Sequence, residues 1–272
     1  MPTETPFVHR LWSGRAPLAT GDEAIDTPTV TVYLAAGTGP KSAMVLMPGG
    51  GYEQCVDHEK APIANWLVSL GITVLQLEYR HAPRYKHPAP LLDAQRAVRT
   101  ARAMAGPWDI DPKRVGVIGF SAGGHLCASV SNIFDDGDPN APDPVDRQSC
   151  RPDVSVPVYP VISFSASFSH AGSGKNLLGE AATLEQRREM SMETRVTAST
   201  PPTFIFHTFG DKTVPVANAL IYAEALADKG VPFEMHINEK GGHGVALGGD
   251  DPVLSVWPKQ CAAWLKARGF GE

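Results

Sequence analysis

Short apolar runs alternate with amphipathic segments along the chain. Seven runs of five to eight residues are rich in apolar and β-branched side chains and are bounded by Gly, Pro or Asp, the pattern of buried strands. They occupy residues 29–34, 43–47, 72–79, 115–120, 154–159, 203–208 and 233–237. Apolar positions recur at helical spacing in the segments 59–70, 90–105, 216–229 and 253–267.

This alternation predicts an α/β fold over a single domain, residues 1–272. Strand–helix–strand crossovers give a mostly parallel central sheet with helices on both faces. The first one or two strands follow each other without a helix, so we expect that edge of the sheet to be antiparallel. Insertions around 135–153 and 163–195 are polar and contain Gly or Pro. Because long loops usually serve a site, we expect both at the rim of the ligand site, as a small loop-type cap.

Composition excludes several classes of protein. The net charge is −5 and no basic run interleaved with aromatic residues is present, which excludes a nucleic-acid partner. No run of eighteen apolar residues occurs and no basic-then-apolar leader begins the chain. We therefore expect no membrane partner and a cytoplasmic location, unless a signal peptide has been removed. The four cysteines form no CxxC pair, and nothing in the sequence sets the oligomeric state.

A candidate nucleophile lies in GVIGFSAGGHL, residues 116–126. Gly119 and Gly123 flank Ser121 directly after a buried strand, where a GxSxG turn holds the serine in a sharp strand-to-helix elbow. This position is at the carboxyl edge of a parallel sheet, where ligands bind. Close packing of a helix on the sheet is the alternative explanation for the glycines.

A serine nucleophile needs a base and an acid that orients the base. With the order Ser, acid, His that this sheet architecture uses, only His236 and His243 lie late enough in the chain. His236 falls inside an alternating strand, whereas His243 lies in a GGHG loop that can turn its imidazole toward the serine, so we predict His243 as the base. Asp211 follows a strand end and is the predicted acid, with capping of the next helix as its alternative role.

Three consecutive glycines end the strand that leads into PGGGY. Without side chains, their backbone N–H groups can face a ligand, so Gly50 and Gly51 are predicted to form an oxyanion hole together with Ala122. The Ala122 N–H begins a helix, where the dipole favours developing negative charge. A phosphate cradle is the alternative, but no GxxxxGK[ST] pattern follows.

Other residues near these motifs are weaker candidates. Tyr52, His125 and Val214 are candidate substrate contacts, with packing as their alternative role. His58 and Glu59 lack HExxH or any other metal-ligand spacing. We therefore expect no metal and no cofactor.

The motifs together resemble the bacterial acetyl-xylan and feruloyl esterase-like group of α/β-hydrolases. The resemblance covers roughly residues 8–270 and is carried by PGGGY, DHE, YR…HPAPLLDAQRAVR, GFSAGGHL, YPVIS, NLLG, HTFGDKTVPV and KGGHG. It implies a triad of Ser121, Asp211 and His243. It also implies hydrolysis of short acyl esters, above all acetyl esters, of carbohydrates such as xylo-oligosaccharides through an acyl-serine intermediate. Pro48 departs from the lipase-like pattern, in which a histidine precedes the glycines and braces their loop, so other contacts must position this loop.

Three alternatives remain open from the sequence. The first is a general short-chain carboxylesterase, because a fold hosts many substrates. The second is a serine peptidase of the same architecture, although such enzymes usually carry a propeller domain or an anchor for the peptide amine. The third is a binding protein on a hydrolase scaffold, which the presence of all three triad residues disfavours.

Overall fold

Eight strands within residues 5–272, the part of the chain that this computed structural model describes, form one sheet. The strands are β1 (Phe7–Arg10), β2 (Thr29–Tyr33), β3 (Lys41–Met47), β4 (Thr73–Glu78), β5 (Ile110–Phe120), β6 (Ser155–Val158), β7 (Thr203–Thr208) and β8 (Phe233–Asn238). The α-helices in the same residues are α1 (Ala61–Ser69), α2 (Ala89–Ala103), α3 (Ala122–Asn132), α4 (Ala171–Leu178), α5 (Leu184–Glu189), α6 (Ala217–Asp228) and α7 (Trp257–Lys266).

The sheet has the strand order β1-β2-β4-β3-β5-β6-β7-β8. The pairs β1–β2 and β2–β4 are antiparallel, and every later pair is parallel. The predicted α/β fold with an antiparallel edge is therefore confirmed. Only β1 was not predicted, because this four-residue edge strand is mostly exposed and lacks a buried apolar face.

Two hydrophobic cores cover the two faces of the sheet. Side chains of β3 alternate between them: Val45 and Met47 pack with α2, α3 and α6, whereas Met44 and Leu46 pack with α1 and α7. Because β3 is buried on both faces, it has a continuous apolar run in the sequence instead of an alternating one. Within residues 5–272, no helix combines the length and apolarity needed to cross a membrane.

The segment 163–195 contains two short helices where the sequence predicted loops. Thr183 begins α5 with a capping box, since its side chain accepts from Gln186 N while the Gln186 side chain accepts from Thr183 N. Helix α4 begins with His170 as its N-cap. The glycines in SHAGSGKNLLGE lower helix propensity and concealed α4.

The segment 135–153 lies at the opposite edge of the sheet from Ser121, so its expected place at the rim of the site is wrong. Helix α3 begins at the carboxyl edge and carries the chain to the amino edge before this segment starts. There, Val115 N donates to Asp153 Oδ2 at 2.8 Å, and Val115 pairs with Ala43 near the start of β3. A loop that follows a helix of a parallel sheet lies at the amino edge, whatever its composition.

Candidate active site

Ser121 lies in a strained elbow between β5 and α3. Its φ of 54° and ψ of −117° are unusual for a residue with a side chain. Its N–H donates to Val158 O at 3.1 Å, and its carbonyl accepts from Val161 N at 3.1 Å. A Cβ on Gly123 would overlap the carbonyls of β3's last residue and of Pro48, so this position requires glycine.

The structure brings Ser121, His243 and Asp211 into one hydrogen-bonded line. Ser121 Oγ lies 2.7 Å from His243 Nε2, and His243 Nδ1 lies 2.6 Å from Asp211 Oδ2. A carboxylate can only accept, so Nδ1 carries the proton and donates it to Asp211. Nε2 is then free to accept from the Ser121 hydroxyl. This is the arrangement of a serine nucleophile, its base and the acid that orients the base.

Asp211 is held by its own turn. Its Oδ1 accepts from Thr213 N and Val214 N, each at 2.9 Å, while His207 Nε2 lies 3.5 Å from Oδ2. Burial raises the pKa of the Asp211 carboxyl, but the contacts with His207, His243 and Val214 outweigh burial and lower it well below its usual range. Asp211 therefore stays ionised beside His243.

Val214 contributes to this turn through its backbone. Its N–H donates to Asp211 and its carbonyl accepts from His207 Nε2 at 2.9 Å. The Val214 side chain is fully buried. It does not face solvent where a substrate would enter, so the structure does not support its predicted substrate contact.

The loop that carries His243 follows β8. Gly241 and Gly244 adopt left-handed φ values of 118° and 73° on either side of the histidine, which favours glycine at both positions. Thr208 Oγ1 donates to Gly242 O at 3.2 Å and fixes the start of the loop. His236, the other candidate base, lies on β8 and contacts Glu234 at 2.7 Å.

The glycine loop lies against the elbow. Met47 at the end of β3 pairs with Gly119, and a Cβ on Gly49 would lie only 3.0 Å from Ser121 Cβ. Within residues 5–272, no acceptor bonds to the N–H groups of Gly50, Gly51 or Ala122. Backbone donors left free beside a nucleophile are what an oxyanion hole requires.

Three side chains brace the glycine loop in place of the histidine that Pro48 replaces. Tyr79 OH donates to Pro48 O at 2.7 Å, and Asn176 Nδ2 donates to Gly51 O at 2.9 Å. Glu59 Oε2 accepts from Gly49 N at 2.7 Å. Sequence reasoning missed all three roles. All three residues lie in motifs noted in the sequence, namely YR (Tyr79), DHE (Glu59) and NLLG (Asn176), but the motifs do not show which atoms these side chains contact.

Tyr52 and His125 bind each other beneath the site. Tyr52 OH lies 2.7 Å from His125 Nδ1, and His125 Nε2 donates to Met190 O at 2.8 Å. Burial lowers the pKa of His125 to about 4, although the hydrogen bond to Met190 opposes this. A neutral His125 that accepts at Nδ1 satisfies both contacts. Since both residues are buried and their polar side-chain atoms engaged, the predicted substrate contacts are corrected to packing roles.

Polar side chains of the segment 163–195 approach the glycine loop. His170 Nδ1 lies 2.8 Å from Ser173 Oγ, and a Cβ on Gly51 would lie 4.0 Å from that same Oγ. Burial and the charge on His243 lower the pKa of His170, whereas Asp211 raises it. A cavity of about 280 Å³ on this side is lined by Glu53, Ala82, Pro83, Lys86, Lys175, Asn176 and Glu180.

Fold and site together define an α/β-hydrolase. The chain belongs to the BD-FAE family, whose model matches residues 30–226. The resemblance seen in the sequence motifs is thereby confirmed.

Named relatives agree with this family. Endo-1,4-beta-xylanase B of Butyrivibrio fibrisolvens is 37% identical over 233 residues, which are 85% of this chain and 36% of that protein. Acetylxylan esterase of Xylanibacter ruminicola is 33% identical over 230 residues, which are 83% of this chain and 45% of that protein. The chain thus spans less than half the length of these two relatives.

One similar crystal structure covers nearly the whole chain. It is an acetyl ester-xyloside bifunctional hydrolase from Caldicellulosiruptor lactoaceticus, with 43% identity and a TM-score of 0.93. The match covers 98% of this chain and 97% of that chain.

Proposed function

We propose that this chain is a serine carboxylester hydrolase that removes short acyl groups, above all acetyl, from carbohydrate esters such as acetylated xylo-oligosaccharides. The observation that carries the proposal is the line from Ser121 through His243 to Asp211, set beside free backbone donors. The names of an acetylxylan esterase and an acetyl ester-xyloside hydrolase among its relatives support the ester class.

The geometry accounts for both halves of the reaction. Ser121 Oγ attacks the ester carbonyl while His243 Nε2 takes the hydroxyl proton, and the N–H groups of Gly50, Gly51 and Ala122 donate to the oxyanion. When the tetrahedral intermediate collapses, the C–O bond to the alcohol breaks and His243 protonates the leaving alkoxide. Water, deprotonated by His243, then attacks the acyl-serine. The carboxylic acid leaves, and the Ser121 oxygen regains its proton.

The surroundings of the glycine loop suit a polar alcohol. Ser173 and Asn176 approach Gly51, and the cavity that Asn176 also lines has Glu53, Lys86, Lys175 and Glu180 among its other lining residues. Such groups hydrogen-bond hydroxyl-rich ligands, whereas a long acyl chain needs an apolar channel. The expectation of a carbohydrate substrate therefore depends on these contacts. It does not depend on the segment 135–153, which lies at the other edge of the sheet.

A chain-length series tests the proposal. We expect kcat/KM to fall from acetyl through butyryl to octanoyl p-nitrophenyl esters, because each added methylene gains about 0.8 kcal/mol only where a pocket receives it. Acetylated xylose and xylo-oligosaccharides should release acetate, measured by an enzyme-coupled assay. An aminoacyl p-nitroanilide should remain intact.

Two results would contradict this reading in different ways. Activity that peaks at octanoyl, with no acetate released from any acetylated sugar, would leave a general carboxylesterase. Cleavage of the anilide at a rate comparable to the acetate ester would instead indicate a peptidase. A Ser121→Ala preparation, purified in parallel, corrects each assay for contaminating esterase.

A further inference from the structure

Glu59 is a buried carboxylate between the two loops that carry the reaction's machinery. It ends the short 3-10 turn Asp57–Glu59, which comes just before α1, and only 2% of its surface is exposed. It belongs to the DHE motif, for which the sequence suggested no role beyond an unsupported metal site.

One oxygen of Glu59 holds the glycine loop. Oε2 accepts from Gly49 N at 2.7 Å, and Val56 N, from the residue just before the same turn, donates to Gly49 O at 3.1 Å. Gly49 directly precedes Gly50 and Gly51, so its peptide orientation sets where their N–H groups point.

The other oxygen holds the histidine loop. Oε1 accepts from Tyr159 OH at 2.7 Å, and the same hydroxyl accepts from Ala246 N at 3.1 Å. Ala246 lies three residues after His243, and the Tyr159 ring meets the His243 imidazole edge to face with 5.3 Å between centroids. A single carboxylate therefore joins the backbone of both loops.

Stability does not explain a carboxylate at this position. Within residues 5–272, no lysine or arginine forms an ion pair with Glu59. The imidazole of His58 lies 3.6 Å from Oε1, but its side chain is 56% exposed. Burying a carboxylate without a buried cation is costly. The DHE turn also belongs to no group of three or more His, Cys, Asp or Glu side chains that could hold a metal, as far as the described residues extend.

We propose that Glu59 is a positioning residue that fixes the oxyanion donors and the His243 base relative to each other. This inference rests on the proposed esterase function. Errors of about 1 Å in such geometry cost about 10²-fold in rate, because catalysis depends on prearranged donors. Glu59 thus acts through Gly49 and Tyr159 and touches no reacting atom itself.

Three variants test the contact of Glu59 with Gly49 and its contact with Tyr159 separately. Glu59→Ala removes both and should lower kcat about 10²-fold, with KM changed less than about threefold. Glu59→Gln should recover kcat to within about fivefold of wild type, since its amide oxygen can accept from Gly49 N while its NH₂ donates to the Tyr159 oxygen. Tyr159→Phe breaks only the link to the histidine loop and should lower kcat about tenfold. Asp57→Ala, in the same turn but with its side chain 98% exposed, is the matched control and should match wild type.

The measurement separates positioning from loss of folded enzyme. Titration with an organophosphonate counts functional sites, and kcat for p-nitrophenyl acetate is then expressed per titrated site. The inhibition constant of a boronic acid, which forms a tetrahedral adduct on the serine, should rise in Glu59→Ala by about the factor that kcat falls.

Unchanged kcat and boronate affinity per titrated Glu59→Ala site would overturn the inference, even if the melting temperature fell. If Glu59→Ala does not fold, Glu59→Asp, which is one methylene too short to reach both partners, takes its place with the same expectations. Wild-type kcat in Tyr159→Phe would refute the link to the histidine loop. A wild type that hydrolyses no ester would instead refute the proposed function.

Discussion

The segments 135–153 and 163–195 look alike in sequence but serve opposite edges of the sheet. Both are polar and contain glycine, and the first is rich in Asp and Pro. The first follows α3 and lies at the amino edge, whereas the second follows β6 and approaches the glycine loop at the carboxyl edge. The element that precedes a segment, and not its composition, determines which edge it serves.

Four of the six aspartates in 135–153 are counter-charges for three arginines of α2. Arg96 pairs with Asp143 and Asp146, and Arg99 pairs with Asp135. Arg102 pairs with Asp153 at 3.0 Å. The three arginines are spaced three residues apart and lie on one face of the helix. These ion pairs therefore stabilise the fold, whereas the segment 163–195 contacts Gly51 through Asn176.

The largest expected difference between the two edges is in kcat, and it compares two serines at opposite ends of α3. Ser121→Ala should lower kcat by about 10³-fold or more, because the residual rate comes only from binding and the oxyanion hole. Ser131, at the other end of the helix, hydrogen-bonds to Cys127 O and Ser155 Oγ, so Ser131→Ala should cost about 1 kcal/mol of stability and leave kcat unchanged. Turnover of p-nitrophenyl acetate and urea unfolding measure the two quantities. Normal turnover in a folded Ser121→Ala variant would remove the serine from the mechanism.

The second pair of variants compares one aspartate at each edge of the sheet. Asp211→Asn should lower kcat about 10²-fold to 10³-fold, since the neutral amide no longer stabilises the imidazolium or selects the tautomer of His243. Asp135→Asn at the amino edge changes the same atoms but should leave kcat unchanged. Equal loss of kcat in both variants would show that the edges are not functionally distinct.

In a third pair of variants, we expect the variant at the amino edge to lose mainly stability and the variant at the carboxyl edge to lose mainly kcat. Arg96 is buried and also donates to Leu11 O, so Arg96→Ala should lower the free energy of unfolding by about 3 kcal/mol without changing kcat per titrated site. Asn176→Ala should lower kcat about tenfold by freeing Gly51, with a stability loss of about 1 kcal/mol. For both variants, urea unfolding measures the free energy of unfolding, and active-site titration gives the number of sites by which kcat is divided. The reverse pattern, with Arg96→Ala impairing kcat and Asn176→Ala impairing only stability, would break the comparison.

The smallest effect on kcat is expected at His125, which follows the nucleophile by four residues yet is expected to act on stability alone. Its folded-state pKa of about 4 lies below the unfolded value near 6.5, so the unfolded chain binds more protons between these pH values. Stability from neutral His125 is therefore complete above pH 6.5 and is lost as the pH falls toward 4, by at most about 1.4 kcal/mol per pH unit. In His125→Gln the unfolding free energy should depend less steeply on pH across this window. Parallel curves for the two proteins would contradict the assignment.

The triad could be predicted because each member follows a strand end. Ser121 follows β5, Asp211 follows β7 and His243 follows β8, and parallel strands bring their carboxyl ends to one edge. The contacts of Glu59 could not be predicted, since they join residues 10 and 100 positions away through side-chain packing. The same holds for the pairing of Tyr52 with His125, which removed both from the candidate substrate contacts.

The edge position of β8 has a consequence for how activity is lost on denaturation. Among residues 5–272 this strand pairs only with β7, and its residues are exposed or half-buried, so it belongs to the less protected part of the fold. The base follows it and must reach a serine 122 residues earlier in the chain. Local fraying of β8 therefore detaches the base while the two cores remain folded. Catalysis should cease at a lower urea concentration than the one at which the buried Trp257 becomes exposed.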